Sequence, residues 1–264
     1  MSEQSQIRFE DGAAYETYMG IWSRKVGEQF LDWLDAPQGL SWLDVGAGNG
    51  AFTALLAERV KPASILGVDP SPAQLDYARK RQDVGHARFE AGHAMELPAA
   101  DASVDAAVMA LVIAFVPDPA KGVAEMVRAV KPGGLVAAYM WDWPEGFPFH
   151  HSHKIIEDRG LPAIAPPSWE ASRQSRLEEL WQGAGLSGIE SRTITVERSF
   201  PDFETLWAIT LTGPRVATLA ATLSPEVKAE IRQTLKDRLK VDEGAPVTLT
   251  AMANAVKGWV PGRG

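Results

Sequence analysis

The stretch Leu43-Asp44-Val45-Gly46-Ala47-Gly48-Asn49-Gly50 constrains this chain more than any other. An apolar run ends in an acid, glycines follow at alternate positions, and the helix-compatible run Ala51 to Arg59 comes next. The pattern predicts a strand, a tight glycine turn and a helix. Glycine lacks a Cβ, so its backbone can take positive φ angles and approach a ligand closely. A turn of this kind after a first parallel strand offers backbone N–H groups and a helix N-terminus to a nucleotide-like cofactor.

Flanking patterns extend the reading. Val26, Phe30 and Trp33 give one buried face to a helical segment from Ala13 to Trp33. Strands are expected at Ser41–Val45, at Ser64–Val68 (closing on Asp69), at His86–Glu90, at Val104–Leu111 and at Leu135–Trp141. Ser71-Pro72-Ala73-Gln74 and Asp118-Pro119 each place an N-cap before a proline at the first helical position. Lys131-Pro132-Gly133-Gly134 stops the second of these helices. The alternation predicts an α/β fold with a doubly wound, mostly parallel sheet and right-handed crossovers. Beyond Trp141 the pattern changes. Trp143 to Pro167 reads as a mobile insertion with some helix, Ser175–Gly185 as a helix and Gly188–Arg198 as a strand. Asp202–Leu239 reads as helical with Ser224-Pro225 capping its second half, and Thr248–Val260 as a closing helix, strand or both.

Composition excludes several classes. A formal charge of −8 disfavours a nucleic-acid partner. The absence of cysteine excludes disulfides and thiol catalysis. Met1 to Gly12 is polar and acidic, so no leader is expected. No stretch approaches the roughly 18 apolar residues of a membrane span. A cytoplasmic location is the expectation, and the oligomeric state stays open.

Gly46-Ala47-Gly48-Asn49-Gly50-Ala51 also satisfies the looser dinucleotide pattern G-x-G-x-x-G/A. The acid decides between the two. Asp44, two residues before Gly46, would repel a pyrophosphate and attract a cofactor carrying an ammonium and a sulfonium. At this point the chain resembles the class I S-adenosylmethionine (SAM)-dependent methyltransferases of the bacterial branch that includes ubiquinone-biosynthesis-type enzymes. Asp44, Gly46, Gly48 and Gly50 match their acid-x-Gly-x-Gly-x-Gly motif. The resemblance implies a Rossmann-like sheet with a helical cover inserted after strand five. It divides the chain into a helical lid (1–40), a SAM-binding core (41–142), an acceptor-side cover with a returning helix and strand (143–240) and a closing segment (241–264).

Site residues follow from the same likeness. Ala47 belongs to the turn, and Asp69, followed by Pro70, ends strand two where an acid can accept hydrogen bonds from both ribose hydroxyls. Gly92-His93-Ala94-Met95-Glu96-Leu97-Pro98 resembles the family's adenine-side segment, with His93 in place of the usual acid and Met95 placed to pack on the base. Neutral imidazole can still accept one hydrogen bond. Met109, Ala110 and Leu111 are expected to reach the cofactor by backbone; Ala114 stands where many relatives carry a polar group. Tyr15 to Arg24 resembles the family's lid segment, with Arg24 on the SAM carboxylate and Tyr18 over the methionine chain, or else forms an amphipathic docking helix.

Methyl transfer from a sulfonium needs positioning and desolvation more than a base. Asp142, His150, His151 and His153 are nevertheless candidates for proton transfer to or from an acceptor. His150 and His153 have helical ligand spacing but lack a convincing third ligand, so no metal is expected. The tryptophans after residue 140 line either an acceptor pocket or a core. The reading is a SAM-dependent methyltransferase releasing S-adenosylhomocysteine and acting on a small organic acceptor at O, N or C. The alternatives are a nicotinamide-dependent oxidoreductase and a non-catalytic SAM-binding protein.

Overall fold

The computed structural model describes residues 16–160 and 165–262. Strands β1 (Ser41–Val45), β2 (Ser64–Asp69), β3 (Arg88–Ala91), β4 (Val104–Ala110), β5 (Val130–Trp141), β6 (Ser187–Phe200) and β7 (Val247–Trp259) form one sheet. Its order is β3-β2-β1-β4-β5-β7-β6. β1 pairs in parallel with β2, from Ser41↔Ser64 to Val45↔Val68, and with β4 from Trp42↔Ala106 to Asp44↔Val108. β7 runs antiparallel to β5, from Leu135↔Trp259 to Trp141↔Ala253. The chain steps outward through β1, β2 and β3, then returns to β4 on the other side of β1. The order therefore reverses between β1 and β4, the place where open α/β sheets bind ligands at the carboxyl ends of their strands.

Helices α1 (Ile21–Leu34), α2 (Ala51–Val60), α3 (Pro72–Lys80) and α4 (Pro119–Ala129) alternate with the first five strands. The expected caps form: Ser71 Oγ accepts from Gln74 N–H at 3.4 Å and Asp118 Oδ1 from Lys121 N–H at 3.0 Å. β4 is mostly buried on both faces, as its near-continuous apolar run predicts. After β5 come α5 (His150–Asp158), α6 (Gln174–Gly183), α7 (Phe203–Thr212), α8 (Pro214–Thr222) and α9 (Pro225–Leu239). The chain divides into two compact units. The larger takes Ser23–Phe147, Ala165–Val196 and the residues from Ala251 onward; the smaller takes the described residues up to Trp22, those after Phe147 up to Gly160, and Glu197–Thr250.

Several boundaries differ from the sequence reading. Ala13 to Tyr15, the expected start of the first helical segment, lie outside the described residues, as does Met1 to Gly12. The segment's described part opens on a π-type turn, Glu16–Gly20, before α1. β5 starts at Val130 rather than Leu135, because the Pro-Gly-Gly stretch also pairs: Gly133 N–H donates to Val260 O at 2.8 Å and Val260 N–H to Gly134 O at 3.0 Å. Asp202–Leu239 is three helices, since Pro214 opens a new one as well as Pro225. The closing segment is one long strand. Its alternation is broken by consecutive buried residues Ala253 to Lys257 beside β5, which hid its period. Among the described residues no helix is long and apolar enough to cross a membrane.

Candidate cofactor site

The glycine turn stands at the carboxyl end of β1, beside the topological switch. Gly46 has φ 78°, and a Cβ there would lie 2.5 Å from Val112 Cγ2, so both angle and space demand glycine. Gly46 and Ala47 N–H both donate to Val68 O, at 2.7 and 3.0 Å, which ties the turn to β2. Gly48 has φ 53° but would meet nothing within 4 Å. Its bare face is open, as close approach of a ligand requires.

Asp69 is the hinge of the geometry. Its Oδ2 accepts from Gly48 N–H at 2.9 Å and its Oδ1 from Ser71 N–H at 2.8 Å. Two backbone donors, one from the turn and one from the α3 cap, hold the carboxylate in one orientation. Each oxygen keeps acceptor capacity for a further donor. Burial raises the Asp69 pKa, opposed by the N–H groups of Ser71 and Gly48 and by the charge of nearby His93.

Asp44 is fully buried beneath the turn, and Thr53 Oγ–H donates to its Oδ2 at 2.6 Å. Burial pushes its pKa up to about 7, opposed by Thr53 and reinforced by the Asp69 charge. The negative charge on which the sequence reading relied is thus only partly developed at neutral pH while no cation is beside it. Among the described residues Asp44 Oδ1 has no hydrogen-bond partner, and neither does Nδ2 of buried Asn49. An orphaned acceptor and an orphaned donor at one turn fit a ligand that brings both signs. Asn49 and Thr53 escaped the sequence reading; their polar side chains within the turn and the first helical turn were the available signal.

In the segment after β3, His93 is exposed, whereas Ala94 and Met95 are half-buried against the core. The following loop is pinned from α4. Glu125 Oε2 accepts from Leu97 N–H at 2.9 Å, and Arg128 donates to Ala99 O at 2.7 Å and Leu97 O at 3.2 Å. These two positioning residues also went unnoticed, because nothing in their helical spacing marks a contact with a loop 28 residues upstream. At the end of β4, Leu111 takes φ 62°, a left-handed angle that costs a non-glycine residue, and its N–H donates to Tyr139 O at 2.8 Å. Pro70 is exposed, Ala110 is half-buried and Ala114 is fully buried.

The larger unit thus brings together Asp44, Gly46, Ala47, Gly48, Asp69 and His93. Arg24, also in that unit, is held by carboxylates of the protein: Nε lies 3.0 Å from Glu28 and a terminal nitrogen 3.1 Å from Glu58. Tyr18 belongs to the smaller unit, where it is buried and stacks on Phe149 at 4.2 Å.

Residues 43–138 match the methyltransferase domain family. The chain is 30% identical over 190 residues to the demethylmenaquinone methyltransferase of Bacillus velezensis, covering 65% of this chain and 82% of that protein. The chain belongs to the class I SAM-dependent methyltransferases. It is also 36% identical over 123 residues to an uncharacterised 37.1 kDa transposon protein of Streptomyces fradiae. That match covers 46% of this chain, which spans only 36% of the relative's length. The fold resembles the SAM complex of Haemonchus contortus phosphoethanolamine N-methyltransferase 2, with TM-score 0.56 and 20% identity over 94% of this chain and 56% of that one.

The proton-transfer candidates are divided between the two units. Asp142 follows β5 in the larger; burial raises its pKa, opposed by Arg173, 3.6 Å away. His150, His151 and His153 sit on α5 in the smaller unit, within the stretch read as an insertion with some helix. His151 is pushed down to about 4 by burial, with His150 and Arg238 adding to the fall, so it is neutral at pH 7 and a weak base. Among the described residues no three His, Asp or Glu side chains are grouped to hold a metal ion. Trp141, Trp143 and Trp181 are core residues, and Trp181 Nε1–H donates to Val136 O at 3.0 Å.

Proposed function

We propose that this chain transfers a methyl group from SAM to a small organic acceptor at O, N or C. The observation that carries the reading is the Asp69 carboxylate, clamped between Gly48 and Ser71 with acceptor capacity left on each oxygen. A pair of adjacent ribose hydroxyls matches that arrangement. Asp44 and Asn49 offer a buried acceptor and a buried donor for the zwitterionic methionine end. Ala94, Met95 and His93 border the adenine, and the Ala110 and Leu111 backbone borders the nucleoside. Arg24 and Tyr18 remain proposed for the carboxylate and methionine chain; Arg24 must then exchange one of its carboxylate partners.

When bound, SAM supplies an activated methyl group, so the protein contributes position and exclusion of water. Relatives named for methylation of a quinone precursor and of a carrier-bound malonyl group support an organic acceptor. The net charge of −8 favours such a molecule over nucleic acid. Calorimetry with S-adenosylhomocysteine and, separately, NAD tests the reading. Binding of the former in the micromolar range, lost in Asp69→Ala, is the expected result; binding of NAD alone overturns it. Turnover of labelled SAM with a panel of organic acceptors separates the enzyme from a non-catalytic binder.

A further inference from the structure

In the smaller unit, Arg198 on β6 is buried, yet no carboxylate pairs with it among the described residues. Its guanidinium offers five N–H donors. Among the described residues it meets one acceptor, Tyr18 O, at a long 3.4 Å, and the face of Phe200, whose centroid lies 4.6 Å away. Burial lowers its pKa, and no neighbouring charge takes part in the shift. Arg128, by contrast, meets both Glu125 and Asp101. A buried cation without an anion is costly, and the cost is recovered when an anion arrives.

We propose that Arg198 anchors the carboxylate of a small organic acid bound within the smaller unit. The isolated single cation suits a monoanion better than a phosphate, which brings close to two charges. The surroundings suit an apolar or aromatic body. Phe200, Tyr18 and Phe149 are all buried. A small apolar hollow is lined by Trp207, Leu211, Val216, Leu219 and Ile231. Gly213, between α7 and α8, packs on the Tyr18 ring: a Cβ there would lie 2.7 Å from Cζ. The residue whose carbonyl meets Arg198 therefore borders the same helix pair that walls the hollow.

The test uses thermal unfolding of the full chain with benzoate, phenylacetate and octanoate, each against its neutral amide at matched ionic strength. At saturating acid, a rise of about 2–4 °C is expected for at least one acid and none for its amide. Arg198→Met removes the rise; Arg198→Lys, which keeps the cation, retains part of it and covers the case in which the methionine variant fails to fold. S-adenosylhomocysteine, run in parallel, reports the cofactor site separately. A rise with acid but none with S-adenosylhomocysteine leaves the anchor standing and removes the methyltransferase reading. Equal shifts for acids and amides, no shift with any acid, or an undiminished acid shift in Arg198→Met overturns the anchor.

Discussion

The two units treat buried polar groups in opposite ways. Around the glycine turn, the Asp69 carboxylate is met by backbone donors and the loop after β3 is clamped by Glu125 and Arg128. In the smaller unit, Arg198 is buried with one long hydrogen bond, and an apolar hollow stands among α5, α7, α8 and α9. Preorganisation by backbone suits a ligand whose shape never changes, such as a cofactor. An unpaired cation beside apolar walls suits a ligand that brings its own counter-charge. The lesson is that satisfied polar groups mark where a site is rigid, and unsatisfied ones mark where a ligand completes it.

The sharpest way to break this contrast is at Gly46. Gly46→Val adds a branched side chain at positive φ against Val112, and a loss of roughly 3 kcal/mol or more is expected in denaturant unfolding. A neutral result would show that the turn is not the rigid element described. Next is Asp69→Ala, for which S-adenosylhomocysteine affinity is expected to fall roughly 100-fold in calorimetry, as charged hydrogen bonds are lost. The same measurement on Arg198→Met should show no change in that affinity.

Asp44 provides a pH test. Its folded pKa of about 7 lies above the ordinary aspartate value of 3.8. Between those limits the native state holds a proton that the unfolded chain has released. Its contribution to stability is therefore greatest at the acid end, falls as pH rises toward 7 and is flat above. Asp44→Asn should remove that slope and gain relative to wild type at pH 8, read from Tm against pH. A slope unchanged in the variant would place the titration elsewhere. The smallest effect is expected at Arg24. Its partners Glu28 and Glu58 are solvent-accessible, so Arg24→Ala should cost about 1 kcal/mol or less in stability. A tenfold loss of S-adenosylhomocysteine affinity in that variant would support its place on the cofactor carboxylate; an unchanged affinity would remove it.

Legibility in the sequence followed the range of the forces involved. The β1 boundaries, the Ser71 and Asp118 caps and the glycine turn were readable because each depends on neighbours within a few residues. The three-helix division of Asp202–Leu239 was partly readable: Ser224-Pro225 announced one break, whereas Gly213-Pro214 was passed over. The Glu125–Arg128 clamp on Leu97 and Ala99 was not readable, since its partners are 28 or more residues apart.

Sequence by itself determined the α/β alternation, the position of the glycine turn and the identity of Asp44 and Asp69 as its acids. These follow from backbone sterics, capping and hydrophobic period, which are local. Tertiary structure alone decided that Asp44 is buried enough to hold its proton near neutrality, that Asp69 is locked by two backbone donors, and that Arg198 meets no carboxylate among the described residues. Burial and pairing depend on which distant segments exclude water from a side chain, and no local pattern carries that information.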